Sequence, residues 1–383
     1  MKIALAGLAL LVIIAAASLL PVRPYLDFQV LYHANLGVLR GIPLYDQAGQ
    51  ANMIAGLAGV SSDLVFVLPF PYPPWYALST LWLAQLPIAL AARVWFALNL
   101  LMLFVCLWLL TSWQSARKGT LLFFVGGLFW LPVLGTLFVG QYALPVLVGA
   151  ALMIRALSRE NPLLVGLAGA LLTFKPHLGI VVLILVAIWL ARRQDAFGRH
   201  ALLAMITTGL ILFGTGFLAS PVWPADYYRS LLEFREVEGV AACTQCISLA
   251  VDAARAVGRV DQAMIISAVG GALLVGWLLV RRRQLPAAPS SLVAGALLVT
   301  LMLSPYLLNY DYLLLLVPFI LLARKKRTRL EWLALALAYV LPPFSLGLWG
   351  TAGNPALILS AGILLAVGQA EFWPTHSSRA APA

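Results

Sequence analysis

An all-α protein that crosses a membrane many times is the fold class this sequence predicts, on three observations. Of its 383 residues, 62% are hydrophobic and 10% are charged, with a mean hydropathy of +0.96. Soluble domains carry roughly 25% charged residues, so the chain lacks the polar side chains to clothe a globular surface in water. Secondly, the apolar residues form runs near the about 20 residues that a helix needs to cross the hydrocarbon core. They lack the short alternating pattern of barrel strands, and lipid tolerates no unpaired backbone amides, which leaves helices. Thirdly, the net charge of +11 sits in short clusters between apolar runs, as in cytoplasmic loops. A nucleic-acid binder would instead carry a basic, aromatic-interleaved face turned to water.

The apolar runs that predict helices are, in order, 3–20, 75–90, 94–110, 120–139, 143–154, 162–174, 178–190, 201–218, 264–280, 291–303, 312–322, 332–348 and 356–367. Several are short enough to fuse or break, so about 11 to 13 passages are expected. They form one domain over residues 1–373, with a short polar tail at 374–383. The first run ends in Ala15, Ala16 and Ala17 like a signal peptide, but its 18 apolar residues exceed a usual signal core, so it reads as a retained helix.

The basic clusters orient the chain. Arg192, Arg193 and Arg199, then Arg281, Arg282 and Arg283, then Arg324, Lys325, Lys326, Arg327 and Arg329 belong in the cytoplasm together with Lys2. Stretches 21–73 and 220–262 then lie outside, and the second carries six acids against four arginines. Arg117 and Lys118 fit this scheme only if the two segments between 75 and 110 do not both cross. Either one segment there is re-entrant or that pair breaks the rule.

Charge placed against a membrane is expensive and marks function. After the first run comes Arg23-Pro24-Tyr25-Leu26-Asp27-Phe28, continuing to Tyr45-Asp46. Asp27, Leu31 and Ala34 share a face over 27–39, predicting a surface helix that Gly41-Ile42-Pro43 ends. Asp27 has two readings, as an N-cap or as a carboxylate available for chemistry. Pro69-Phe70-Pro71-Tyr72-Pro73-Pro74-Trp75 cannot be helical and predicts an extended outer segment, with Tyr72 and Trp75 as interfacial anchors. Gln141 stands between two apolar runs and needs a polar cavity or a partner helix.

Thr173-Phe174-Lys175-Pro176-His177 breaks a helix, which lipid tolerates where the break lines a cavity. Lys175 and His177 turned into that cavity make an anion site suited to phosphate. The bland alternative has Lys175 snorkelling to the headgroups beside a solvated His177. In Ser304-Pro305-Tyr306 to Tyr310-Asp311-Tyr312, Asp311 caps a helix starting at Tyr312, or the tyrosines around it make a sugar site. Cys243 and Cys246 suit a small disulfide in an oxidising compartment, and zinc lacks a second ligand pair. The sequence holds no phosphate-binding glycine loop, H-E-x-x-H or G-x-S-x-G, which disfavours nucleotide-driven and serine-hydrolase chemistry.

In their order along the chain, Asp27-Phe28, Tyr32, Leu39, Gly41 and Leu44-Tyr45-Asp46, then Tyr72-Pro73-Pro74, Gly140-Gln141, Lys175-Pro176 and finally Ser304-Pro305 with Tyr310-Asp311 resemble the bacterial glycosyltransferase family 87. Members of that family are polyprenol-phosphate-dependent sugar transferases of the GT-C type. The resemblance implies a GT-C-type bundle in the bacterial inner membrane, with the active site facing the exterior. It implies a sugar donor, commonly mannose, linked to polyprenyl phosphate, a glycolipid or glycan acceptor, no cofactor, no metal and no nucleic acid. Asp27 would be the general base. Lys175 and His177, then Arg23, would hold the donor phosphate, and Asp46, Tyr72, Gln141, Tyr310 and Asp311 would bind substrate. Transfer would invert the anomeric centre. One departure is Ala143, where the family often has an asparagine two positions after the glutamine. The competing reading is a lipid or sugar transporter, but transporters often show paired broken helices and repeats, and here Pro176 marks the one clear break.

Overall fold

A computed structural model describes residues 15–19, 22–111, 125–237, 246–256, 258, 265, 266, 269–273, 288–304, 306–347 and 354–372. Among them the regular structure is helical, and no strand occurs. The helices are α1 Leu26–Leu39, α2 Gln47–Ala58, α3 Pro74–Thr80, α4 Ile88–Thr111, α5 Leu131–Val139, α6 Ala143–Ser158, α7 Pro162–Leu172, α8 Pro176–Arg193, α9 Ala196–Gly216, α10 Trp223–Val237, α11 Leu249–Ala256 and α12 Pro289–Leu303. They continue as a 3-10 turn Asn309–Leu315 leading into α13 Leu316–Ala323, then α14 Arg329–Val340, α15 Pro342–Gly347 and α16 Asn354–Phe372.

Among the described residues three helices are long and apolar enough to cross a membrane: α4, α8 and α9. Shorter apolar helices at 143–158, 162–172, 289–303, 309–323 and 356–369 pack beside them. The chain is thus a polytopic helical membrane protein. α4 has 24 residues and so a length of about 36 Å, more than the hydrocarbon thickness. α9 turns Leu203, Ile206, Leu210, Ile211 and Phe213 outward, an apolar face that only lipid would solvate well.

The run 75–90 does not make a crossing helix, contrary to expectation. It divides into α3 and a 3-10 turn Leu81–Gln85, and the next helix starts at Ile88 behind Pro87. Proline supplies no N–H and crowds the preceding turn, so the two apolar runs between 75 and 110 yield one passage. α4 therefore delivers the chain to the end where Arg324 donates to the Leu110 carbonyl. Arg117 and Lys118, which follow, lie outside the described residues, as do Arg281, Arg282 and Arg283.

Close packing of α7 on α8 depends on Gly179, where a Cβ would fall 2.0 Å from the Leu172 carbonyl oxygen. Small residues permit such approach between membrane helices, where dispersion and not hydrophobicity drives association. A main apolar core runs through α4, α6, α8, α12 and α13. A second gathers Phe28, Tyr32, Phe70, Tyr72, Tyr76, Trp95 and Tyr142.

The turns divide into two sets. At one end Arg193 pairs with Glu160 at 2.6 Å and with Asp195 at 2.7 Å, while Lys325 and Arg327 both pair with Glu371. At the other end lie Gly140, Gln141, Lys175 and Asp311, with α1 against them.

Candidate active site

The break between α5 and α6 seats the first turn of α1. Gly140 closes α5 at φ +76°, and the N–H groups of Gly140 and Gln141 both donate to the Thr136 carbonyl, at 3.1 and 3.0 Å. Glycine takes this left-handed backbone without penalty. Its missing side chain also leaves room for Phe28, since a Cβ at 140 would lie 3.0 Å from the Phe28 Cβ. Trp95 Nε1 donates to the Gly140 carbonyl at 2.8 Å, locking the turn. Phe28 is buried, and Asp27 immediately precedes it.

α1 begins at Leu26 with Tyr25 as its N-cap and no side-chain capping bond, so Asp27 is inside the first turn and is not the cap. The carboxylate there still meets the positive end of the helix dipole. The helix stops near Gly41, whose φ is +78°.

Lys175 and Asp311 meet in the interior. Pro176 opens α8, the Lys175 carbonyl accepts from Leu178 and Gly179, and the Lys175 side chain turns inward. Its Nζ donates to Asp311 Oδ1 at 2.5 Å and to Gln141 Oε1 at 3.2 Å, and lies 5.1 Å from the centre of the Tyr310 ring. Lys175 and Asp311 are 1% and 0% exposed. Snorkelling of Lys175 is thereby excluded. Asp311 also accepts from the Leu308 N–H at 3.1 Å, and it occupies the third position of the 3-10 turn, not the start of a helix at Tyr312. The Thr136 hydroxyl donates to the Tyr310 carbonyl at 3.1 Å, tying that turn to α5. Gln141, buried, spends its Oε1 on Lys175 and on the Tyr142 N–H, the polar partnership its position required.

The carboxylates of Asp27 and Asp311 both act electrostatically on the hydroxyls of Tyr72 and Tyr310, and Asp27 also on that of Tyr142. Tyr72 is buried edge-on against Tyr142, with centroids 4.7 Å apart, so it is no interfacial anchor. Its carbonyl accepts from the Tyr45 hydroxyl at 2.8 Å. Trp75 is half-buried and donates from Nε1 to the Thr173 hydroxyl at 3.0 Å. His177 sits in the first turn of α8, edge-on to Tyr306 at 5.9 Å, and its Nε2 is buried with no hydrogen-bond partner among the described residues.

Other sequence candidates lie apart from this group. Arg23 is exposed before α1. Asp46 is exposed and caps α2 by accepting from the Gly49 N–H at 2.9 Å. Cys246 is disulfide-bonded, and Cys243 lies outside the described residues. One residue that sequence reasoning passed over belongs to the group, Tyr142, through its ring contacts with Tyr72 and Tyr76, while Tyr306, among the tyrosines expected near Asp311, packs edge-on against His177. Among the described residues no three His, Cys, Asp or Glu side chains gather as a possible metal site.

No curated protein and no solved structure matches this chain. The chain belongs to glycosyltransferase family 87, whose profile matches residues 70–305 and so takes in Tyr72, Gln141, Lys175 and His177 but neither Asp27 nor Asp311.

Proposed function

We propose that this glycosyltransferase moves a sugar, mannose by family default, from a polyprenyl-phosphate donor to an acceptor hydroxyl at the outer face of the bacterial inner membrane. One observation carries the reading: Asp27 lies in the first turn of α1, whose Phe28 packs on Gly140, beside the Gln141 that accepts from the buried Lys175 of the Lys175–Asp311 pair. The donor's lipid tail holds its phosphate at headgroup depth, where such a group of side chains can meet it.

In the proposed step Asp27 takes the proton from the acceptor hydroxyl as its oxygen bonds to the anomeric carbon. The bond from that carbon to the phosphate oxygen breaks, and its electron pair leaves with the polyprenyl phosphate. Attack from the face opposite the phosphate inverts the centre. General-base help contributes roughly 100-fold or more. The leaving group gains a negative charge, which preorganised donors stabilise.

Lys175 is balanced by Asp311 in the resting state, so it reaches the phosphate by loosening its hold on Asp311. His177 offers the unspent Nε2, and Arg23 stands exposed at the rim. Tyr72, Gln141, Tyr310 and Asp311 are assigned to substrate binding in this reading. Asp46 belongs to the outer approach. The outward placement is supported by charge: Arg193, Arg324, Lys325 and Arg327 occupy the opposite end, which the positive-inside rule assigns to the cytoplasm.

The test is transfer by the purified protein in liposomes containing radiolabelled polyprenyl-phosphate mannose, with and without an envelope lipid extract as acceptor. A new glycoside of inverted configuration, formed only with acceptor, is expected. Sugar transfer from a nucleotide sugar alone, or donor movement across the bilayer without a new glycoside, would overturn the proposal.

A further inference from the structure

The basic end of the bundle contains a feature that the transfer reaction does not use. The C-terminal ends of α4, α6 and α13, the first turn of α12 and the turn after α13 line a half-open cavity of about 160 Å³, with Leu109, Leu110, Ile154 and Leu321 as its apolar walls and Ser290, Arg324 and Lys325 as its polar ones. We propose that this cavity binds the phosphodiester headgroup of an anionic phospholipid.

Charge makes the first argument. Of the five bases Arg324, Lys325, Lys326, Arg327 and Arg329, Lys325 and Arg327 pair with the carboxylates Glu331 and Glu371 among the described residues. Arg324 is half-buried, gives one N–H to the Leu110 carbonyl, and has no carboxylate partner among the described residues. A guanidinium taken partly out of water without a counter-charge is costly, and it keeps donors for a bidentate contact with phosphate.

The opposite wall adds donors of the same sense. α12 opens with Pro289 behind Ala288, which supplies no capping side chain. Among the described residues the first N–H bonded back along the chain is that of Leu292, to the Ala288 carbonyl at 3.1 Å. The N–H groups of Ser290 and Ser291 come before it, at the positive end of the helix dipole.

The apolar walls decide between sources of phosphate. A free, fully hydrated ion gains nothing from Leu110, Ile154 and Leu321, whereas the glycerol and first acyl methylenes of a lipid bury apolar area there. Basic pockets between helices on the cytoplasmic side recognise anionic headgroups by this combination.

The test uses the full chain in neutral detergent, with thermal unfolding and lipid binding followed on adding short-chain phosphatidylglycerol, phosphatidylcholine or inorganic phosphate at matched ionic strength. Phosphatidylglycerol alone should raise the unfolding temperature. Arg324→Gln and Ser290→Asp should each weaken its binding at least roughly tenfold, the weight of one charge-assisted bond. Ser290→Asp keeps the experiment decisive should Arg324→Gln fail to fold, because a carboxylate in the first turn favours α12 while repelling phosphate. Arg329→Gln, an exposed charge at the same end, should bind as the unaltered chain does. Equal protection by inorganic phosphate, no protection by phosphatidylglycerol, or unchanged binding in Ser290→Asp would overturn the proposal. None of these readouts involves sugar transfer, so each outcome is independent of the role given to Asp27.

Discussion

Removing the carboxylate at position 311 strands an ammonium group that has no water to turn to. Lys175 and Asp311 stand 2.5 Å apart at 1% and 0% exposure. Breaking a buried pair by deleting one partner costs about 3–5 kcal/mol, while replacing both partners together is near neutral. Asp311→Asn keeps the shape of the side chain and an oxygen for the Leu308 N–H, so its loss isolates the charge. Lys175→Met leaves Asp311 with that single N–H donor. Each single variant should therefore lose about 3–5 kcal/mol, and the double variant far less than their sum. A coupling energy of about 2–3 kcal/mol or more follows. Reversible unfolding by SDS in mixed micelles, read through the fluorescence of the chain's 12 tryptophans, measures all three. Losses that simply add, or single variants as stable as the parent, would refute the pairing and with it the geometry of the site.

Gly140→Ala should cost about 1–2 kcal/mol, since alanine resists the left-handed backbone at φ +76°. Because the new Cβ would press on Phe28, transfer should fall further than stability does, and comparing unfolding with kcat separates the two. His177→Leu should leave the fold intact, because Nε2 gives up no bond, and should lower transfer roughly 100-fold as a lost phosphate donor. Full activity would remove His177 from the mechanism. The Asp195 carboxyl is held below its ordinary value, chiefly by the Gly198 N–H and then by Arg193. A depressed folded value means its contribution is present above the unfolded pKa of about 3.9 and is lost as pH falls through the folded one. The unfolding temperature should therefore drop more steeply in acid for the parent than for Asp195→Asn.

Among the described residues, several helices were legible where an apolar run was bounded by proline or arginine. α8 begins at Pro176 and ends at Arg193, and α9 follows the Asp195 cap. The run 75–90 misled because composition alone ignores Pro87, which divides it from α4. Unusual polar residues in apolar surroundings pointed to Gln141, Lys175 and Asp311 one by one. Their partnership was not legible, because Lys175 and Asp311 are 136 residues apart and nothing local specifies which carboxylate meets which cation. Tyr142 was hidden for a related reason: beside Gln141 it looks like an ordinary interfacial tyrosine, and only the approach of Tyr72 and Tyr76 makes it part of an aromatic cluster. Asp46 shows the opposite case. Its position just before a helix fits capping equally well, and the Gly49 N–H is what it holds.

The most direct test of the account is the transfer rate of Asp27→Asn with a polyprenyl-phosphate sugar donor, measured on protein whose SDS unfolding midpoint has been checked. Loss of transfer by roughly 100-fold or more with a nearly unchanged midpoint is the predicted result. Transfer at the parental rate would contradict it and pass the proton to another carboxylate, Asp46 being the next to examine.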